Sequence, residues 1–430
     1  MFKKSFNIIN SILIVVLLVY LFFCNILFCY GFINNDFISN GLIVFGIVGI
    51  VLYLLYRFVN KTTKIWDLLI LIMIFLGYLS YYNAYDKNVA LRGFFLGREG
   101  LAVIISYYVF FLIGTTFRKN EIIKNVVIKM LTIFGVISAF YGYLQLINLN
   151  SFFGIKIVGK MIYSSSFFSN SNYFGTFSSI MVCIWLAKYF FVNKDIIEYK
   201  SFIILCIFIF GLICSGAMSA FVMLALILII CFVILLKKKV SKKIIVLKYC
   251  LLMIFLIFSF AFVKMQGNSY VFDDVLETSN QAVSVLNGKI DDNFGTGRIY
   301  IWKQTFKYLD DYIYTGIGID NFAYLGKNEG KYIYDSKEEN NVIYKAHNEY
   351  LQILATQGIF MLIVYFGFLF LMLKSSFDNF FINNNSCFFI SVLGYMVQAF
   401  FNISMTRIAS IFFLLCGLLV SSNDEKNKLF

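Results

Sequence analysis

His347 is the only histidine in the 430-residue chain. It sits in IYKAHNEYLQILATQG (343–358), where a polar segment gives way to a long apolar run. Leu351, Leu354 and Ile359 follow at helical spacing, so the histidine lies at the N-terminal end of a helix. The helix macrodipole favours the neutral imidazole there, and a neutral imidazole can take a proton from a hydroxyl as a general base. Asn348 and Glu349 are adjacent and available to orient it. By position alone, an interfacial histidine with no chemical task is the competing reading.

Arg298 is the second candidate. In GTGRIYIWKQTFKYL (295–309) it opens an amphipathic helical pattern, with Trp302 one turn further along the same face. Gly295 and Gly297 leave the start of that helix without side chains, so an anion can reach its backbone N–H groups. A guanidinium suits a diphosphate because its planar fork donates two parallel hydrogen bonds and stays charged. The alternative is an arginine reaching up to lipid headgroups. Three further places carry weaker signals. Asn172, in NSNYFG (170–175), can cap a helix or hydrogen-bond a sugar. Arg98, in LGREG (96–100), pairs with Glu99 in sequence beside an apolar run, where ionisable groups are costly. GIGIDNF (316–322) reads as a tight glycine turn before a short helix.

The elements that must hold these groups are set by composition. Hydrophobic residues make up 60% of the chain and charged residues 14%, outside the range of soluble domains. Apolar runs long enough to cross a bilayer recur without period-two alternation, which calls for helices rather than a barrel. The spacing predicts an all-α polytopic membrane protein of about twelve transmembrane helices. They lie near 11–30, 41–59, 65–82, 99–117, 125–148, 171–192, 201–216, 218–236, 244–263, 349–373, 387–403 and 405–422. The first run is too long for a signal-peptide core and lacks a small-residue cleavage site, so it reads as a membrane helix.

Three regions result. Residues 1–263 carry the first nine helices, 264–348 form one large and partly helical extracytoplasmic loop, and 349–430 carry the last three helices and a short cytoplasmic tail. The loop holds more than half of the chain's carboxylates and is too polar to enter lipid. The net charge of +13 does not point to nucleic acid, because the lysines and arginines cluster beside apolar runs. Arg57, Lys61 and Lys64 follow the second run; Arg118, Lys119 and Lys124 the fourth; Lys194 and Lys200 the sixth; Lys237, Lys238, Lys239, Lys242 and Lys243 the eighth. This alternation puts both termini in the cytoplasm. The nine cysteines lie in or beside apolar runs with no CxxC spacing, which points to buried small hydrophobes rather than to a metal site.

Taken in order, FFSNSNYFGTF (167–177), the glycine-turn hairpin at 211–224, GTGRIYIW (295–302), GIGIDNF (316–322), AHNEYLQILATQGIF (346–360) and the late QAFFNIS resemble the O-antigen ligase/polymerase family. These are membrane glycosyltransferases of the GT-C type. The resemblance spans roughly residues 160–420. It implies transfer of a glycan from an undecaprenyl-diphosphate carrier to a sugar hydroxyl at the outer face of the bacterial cytoplasmic membrane, with no metal ion and no cofactor. It further implies His347 as general base and Arg298 as diphosphate ligand. The implied partners are the lipid-linked oligosaccharide, membrane lipids and other polysaccharide-assembly proteins.

The chain departs from the family pattern at Met218, where many members place a second arginine in Gly-Ser-Arg-Gly-Ala; Arg98 or Arg407 is left to supply that charge. The missing arginine tips the expectation toward a polymerase of surface-polysaccharide repeat units, with a ligase acting on lipid A–core as the alternative. A lipid-linked oligosaccharide flippase is the reading from another class. Such transporters place ionisable groups at mid-membrane in repeated halves, whereas the charged candidates here lie at the ends of apolar runs. A structural partner in an envelope complex is a third.

Overall fold

Without a proline to interrupt them, the apolar runs fold as continuous helices. The computed structural model describes residues 2–60, 65–117, 120–149, 151–152, 155–156, 163–192, 195–238, 240–265, 276–277, 280, 294–326, 342–382 and 384–421. Lys61, Lys64, Arg118, Lys119, Lys194 and Lys239, much of the 264–348 segment, and residues 422–430 lie outside the described residues.

The described helices, in chain order, are α1 (Phe2–Cys29), α2 (Asn35–Asn60), α3 (Ile65–Tyr82), α4 (Lys87–Arg92), α5 (Leu101–Thr115), α6 (Glu121–Leu146), α7 (Ser171–Ala187), α8 (Tyr199–Ser215), α9 (Met218–Lys237), α10 (Lys242–Met265), α11 (Phe294–Lys307), α12 (Glu349–Phe377), α13 (Asn385–Ala399) and α14 (Thr406–Val420). The described strands are one antiparallel pair, Ser151–Phe152 with Ile155–Lys156. Eight helices are long and apolar enough to cross a membrane, and α5, α8, α13 and α14 are shorter apolar helices. This is an all-α, multi-pass membrane protein.

Burial sorts the helices into two classes. Every residue of α14 is buried, as are most of α5, α7 and α13. These four form the centre. The helices α1, α2, α3 and α10 instead turn apolar side chains outward, among them Val44, Ile47, Leu71, Phe75, Ile257 and Phe258. An outward apolar face on a helix with an apolar core behind it belongs against lipid. The central helices approach closely where glycines face each other. A Cβ on Gly114 of α5 would stand 2.8 Å from Gly417 Cα of α14. Small residues permit such approach, which is how membrane helices gain packing energy without a hydrophobic difference from the surrounding lipid.

One break in this regularity shapes the site. Helix α12 is 29 residues long, about 43 Å at 1.5 Å per residue, against a hydrocarbon core of about 30 Å. It is interrupted at Gly358, whose φ of +84° is non-helical. The carbonyls freed there are taken by the glycine turn: Ile317 N donates to Ala355 O and Gly318 N to Thr356 O, each at 3.0 Å. Ser80 Oγ adds a bond to Thr356 O at 2.7 Å. The GIGIDNF segment is therefore threaded into the notch of α12 and held against the end of α3.

Candidate active site

The segment Tyr344–Asn348 is held at four of its five residues, on either side of His347. Tyr344 stacks on Phe94 at 5.6 Å between ring centres. Lys345 Nζ lies 2.5 Å from Glu99 Oε2 and 3.3 Å from Asp320 Oδ1. The Ala346 peptide is clamped on both sides: its N–H donates to Gln352 Oε1 at 2.7 Å, and its carbonyl accepts from Trp302 Nε1 at 3.0 Å. Asn348 is the N-cap of α12, its Oδ1 accepting from Tyr350 N and Leu351 N. That use of Asn348 is helix initiation, with the side-chain oxygen committed to the backbone. Between these anchors His347 is half-buried and adopts φ +52°. A left-handed backbone at a residue with a Cβ costs about 1–2 kcal/mol, so the anchors over-determine it. Arg98 (+54°) and Asp320 (+56°) share this conformation.

The charges beneath the segment form one buried cluster. Glu99, Asp320 and Lys345 are each 4% exposed or less. Glu99 also accepts from Tyr107 OH at 2.8 Å and Ser404 Oγ at 2.6 Å. Asp320 Oδ2 accepts from the backbone N–H groups of Phe94 (2.6 Å) and Glu99 (3.2 Å). Burial alone would lower the Lys345 pKa, but Asp320 and Glu99 beside it more than offset that, and the ammonium is held well above its ordinary value. Burial raises the Asp320 carboxyl, with Lys345 opposing it. A cavity of about 70 Å³, room for several waters, opens between Glu99, Tyr107, Asp320, Lys345, Glu349 and Gln357. Glu349 accepts there from Tyr365 OH (3.2 Å) and Tyr395 OH (3.0 Å). Its carboxylate is committed to these two hydroxyls.

Trp302 brings α11 against this segment, and its ring packs edge-on against Phe400 at 6.0 Å. Arg298 lies one turn earlier on the same face, the side of α11 whose Trp302 meets Ala346. Burial lowers the Arg298 pKa to about 10, which leaves it cationic at neutral pH.

The remaining candidates separate. Arg98 is engaged by α2: its Nε lies 2.6 Å from Asp36 Oδ1, and Nη1 donates to Gly93 O at 3.2 Å. Arg407, at the start of α14, is 1% exposed. Its guanidinium carbon stands 4.4 Å above the Phe28 ring, while Nε and Nη1 have no hydrogen-bond partner. Asn172 is the second residue of α7, and its N–H is capped by Asn170 Oδ1 at 2.8 Å. Its carbonyl accepts from Asn402 Nδ2 at 3.3 Å. Met218 starts α9, half-buried, with Gly216 in the left-handed region just before it.

Glu99, Asp320, Lys345 and Gln352 escaped sequence reasoning as site residues. The signal for two of them was present. Glu99 adjoins Arg98 beside an apolar run, and Lys345 lies two residues from His347. Of the pair at 98–99, the carboxylate is the member buried under the histidine segment.

Residues 202–366 match the family model described as O-antigen ligase, which supports an O-antigen ligase-like family. The match includes Arg298, Trp302 and His347 and leaves Arg98, Asn172 and Arg407 outside it. No curated protein matches the chain.

Proposed function

We propose that this protein is a membrane glycosyltransferase. It acts at the outer face of the bacterial cytoplasmic membrane, with both termini cytoplasmic, twelve transmembrane helices and the 264–348 segment outside. It moves a glycan from undecaprenyl diphosphate to a sugar hydroxyl, extending the repeat units of a surface polysaccharide. The observation that carries this reading is the clamped Ala346 peptide. Trp302 and Gln352 hold it from two helices and so present His347 beside the arginine face of α11.

The acceptor hydroxyl gives its proton to the His347 imidazole, and its oxygen forms a bond to the anomeric carbon of the donor glycan. The bond from that carbon to the diphosphate oxygen breaks, and its electron pair leaves with undecaprenyl diphosphate. Charge thus develops on the diphosphate, where fixed guanidinium groups stabilise it. Arg298 is one. Arg407 supplies the second, because a buried cation whose Nε and Nη1 lack partners gains most from an anion. Arg98, already tied to Asp36, is the poorer candidate for that role.

A ligase, the alternative reading, differs in acceptor rather than in chemistry. The test is to incubate the purified protein in vesicles with a lipid-linked repeat unit and follow glycan length, with and without lipid A–core. Growth lost in His347→Ala and Arg298→Ala is the expected result. Transfer only to lipid A–core makes the protein a ligase. Passage of the substrate across the vesicle membrane without any change in length replaces the enzyme with a transporter.

A further inference from the structure

We propose that Glu99 is a positioning residue that sets the base and the anion-binding guanidinium at a fixed separation. The inference rests on the glycosyl-transfer reading of the site. Glu99 Oε2 receives Lys345 Nζ at 2.5 Å and Ser404 Oγ at 2.6 Å. Lys345 is two residues before His347, and Ser404 is three residues before Arg407. At about 3.5 Å per residue, these tethers span no more than roughly 7 Å and 10 Å. One carboxylate oxygen therefore holds both the segment that carries the base and the turn that launches the helix carrying Arg407.

Glu99 is itself fixed. Tyr107 OH on α5 occupies its other oxygen at 2.8 Å. Asp320 accepts from the Glu99 backbone N–H and also faces Lys345 at 3.3 Å. Four separate parts of the chain thus meet around Glu99: the turn before α5, the glycine turn, the histidine segment and the α13–α14 connection. Glu99 acts on His347 and Arg407 through Lys345 and Ser404, so its action is indirect. Displacing a reacting group by about 1 Å can cost on the order of 100-fold in rate.

The experiment compares the full-length protein in vesicles with Glu99→Gln, Ser404→Ala, His347→Ala and the Glu99→Gln/His347→Ala double variant. Glu99→Gln keeps the shape and removes the charge. It should lower kcat by about 10- to 100-fold, with KM for the acceptor little changed and the melting midpoint read alongside. In the His347→Ala background the same substitution should lower the residual rate by less than it lowers the parent's, since only its hold on the Arg407 side remains to be lost. Ser404→Ala, which spares the ion pair, should raise KM for the lipid-linked donor more than it lowers kcat. It also serves if Glu99→Gln does not fold.

Full activity in Glu99→Gln overturns the proposal, as does a loss that only follows the folded fraction, or a further loss of equal size without the histidine. If Glu99→Gln fails to fold, an unchanged donor KM in Ser404→Ala overturns it. An active His347→Ala instead removes the base assignment on which the proposal stands, so the two failures are told apart.

Discussion

Gly316 and Gly358 cross backbone to backbone, one in the glycine turn and the other at the break in α12. A Cβ on Gly316 would stand 2.1 Å from Thr356 C, and a Cβ on Gly358 would stand 2.1 Å from Tyr314 O. Both have positive φ, +72° and +84°. No side chain fits either position, because the obstructing atoms are backbone and cannot rotate away. This crossing fixes the glycine turn, and with it Asp320, under the histidine segment.

Alanine at either glycine should therefore destabilise the protein by about 3 kcal/mol or more, from strain and overpacking together. Gly367, further along α12, has nothing within 4 Å of its missing Cβ. Gly367→Ala should be neutral or stabilising by about 0.5–1 kcal/mol through helix propensity. Thermal unfolding in one detergent compares the three, and a mild effect at Gly358 would count against the crossing.

Trp302→Phe removes the donor to Ala346 O while keeping an aromatic ring against Phe400. The expected loss of stability is about 1 kcal/mol. Turnover should fall further than that figure implies, because the peptide that presents His347 loses one of its two clamps. Kinetics and unfolding measured on the same preparation separate the two effects; turnover equal to the parent's would refute the clamp.

Arg407→Met should raise KM for the lipid-linked donor by about tenfold or more, as expected for losing a charge-assisted contact to phosphate. Stability should move the other way. Replacing a buried cation whose Nε and Nη1 lack partners with an apolar side chain is neutral or stabilising by about 1–4 kcal/mol. A protein that becomes less stable and keeps its donor KM would show that Arg407 serves packing alone.

The pH dependence should have a single acid limb. A protonated imidazole cannot accept the acceptor's proton, so turnover falls on the acid side as the imidazole gains a proton. Lys345 is held above its ordinary value by Asp320 and Glu99, and it stays charged through neutral and mildly alkaline pH. Arg298, lowered to about 10 by burial, likewise remains cationic up to about pH 9. Rates measured from pH 5 to 9 should therefore rise and then level off. A steep alkaline decline below pH 9 would indicate that another group titrates.

Much was readable without coordinates. Apolar run length and the absence of proline specify helices, because a backbone in lipid must satisfy its own hydrogen bonds. Each of the twelve apolar runs lies on a helix, and eight of those helices are long and apolar enough to cross a membrane. The helix of Arg298 and Trp302 follows from its 3.6-residue period, and the start of α12 at Glu349 follows from the capping residue Asn348. These are local properties, set by neighbours a few residues away.

What the sequence could not show is how distant segments meet. Glu99 and Lys345 are 246 residues apart, and nothing in either neighbourhood names the other. The same holds for Arg98, whose partner Asp36 lies on α2, and for Arg407, whose Nε and Nη1 find no partner among the surrounding helices. The sequence alone determined which helices form and pointed to His347 and Arg298 as the groups with suitable chemistry. Only the tertiary structure decided which charges are paired, which cation has unmatched N–H groups, and which carboxylate underlies the histidine. Pairing in a buried site depends on three-dimensional approach, and residue type and spacing carry no record of it.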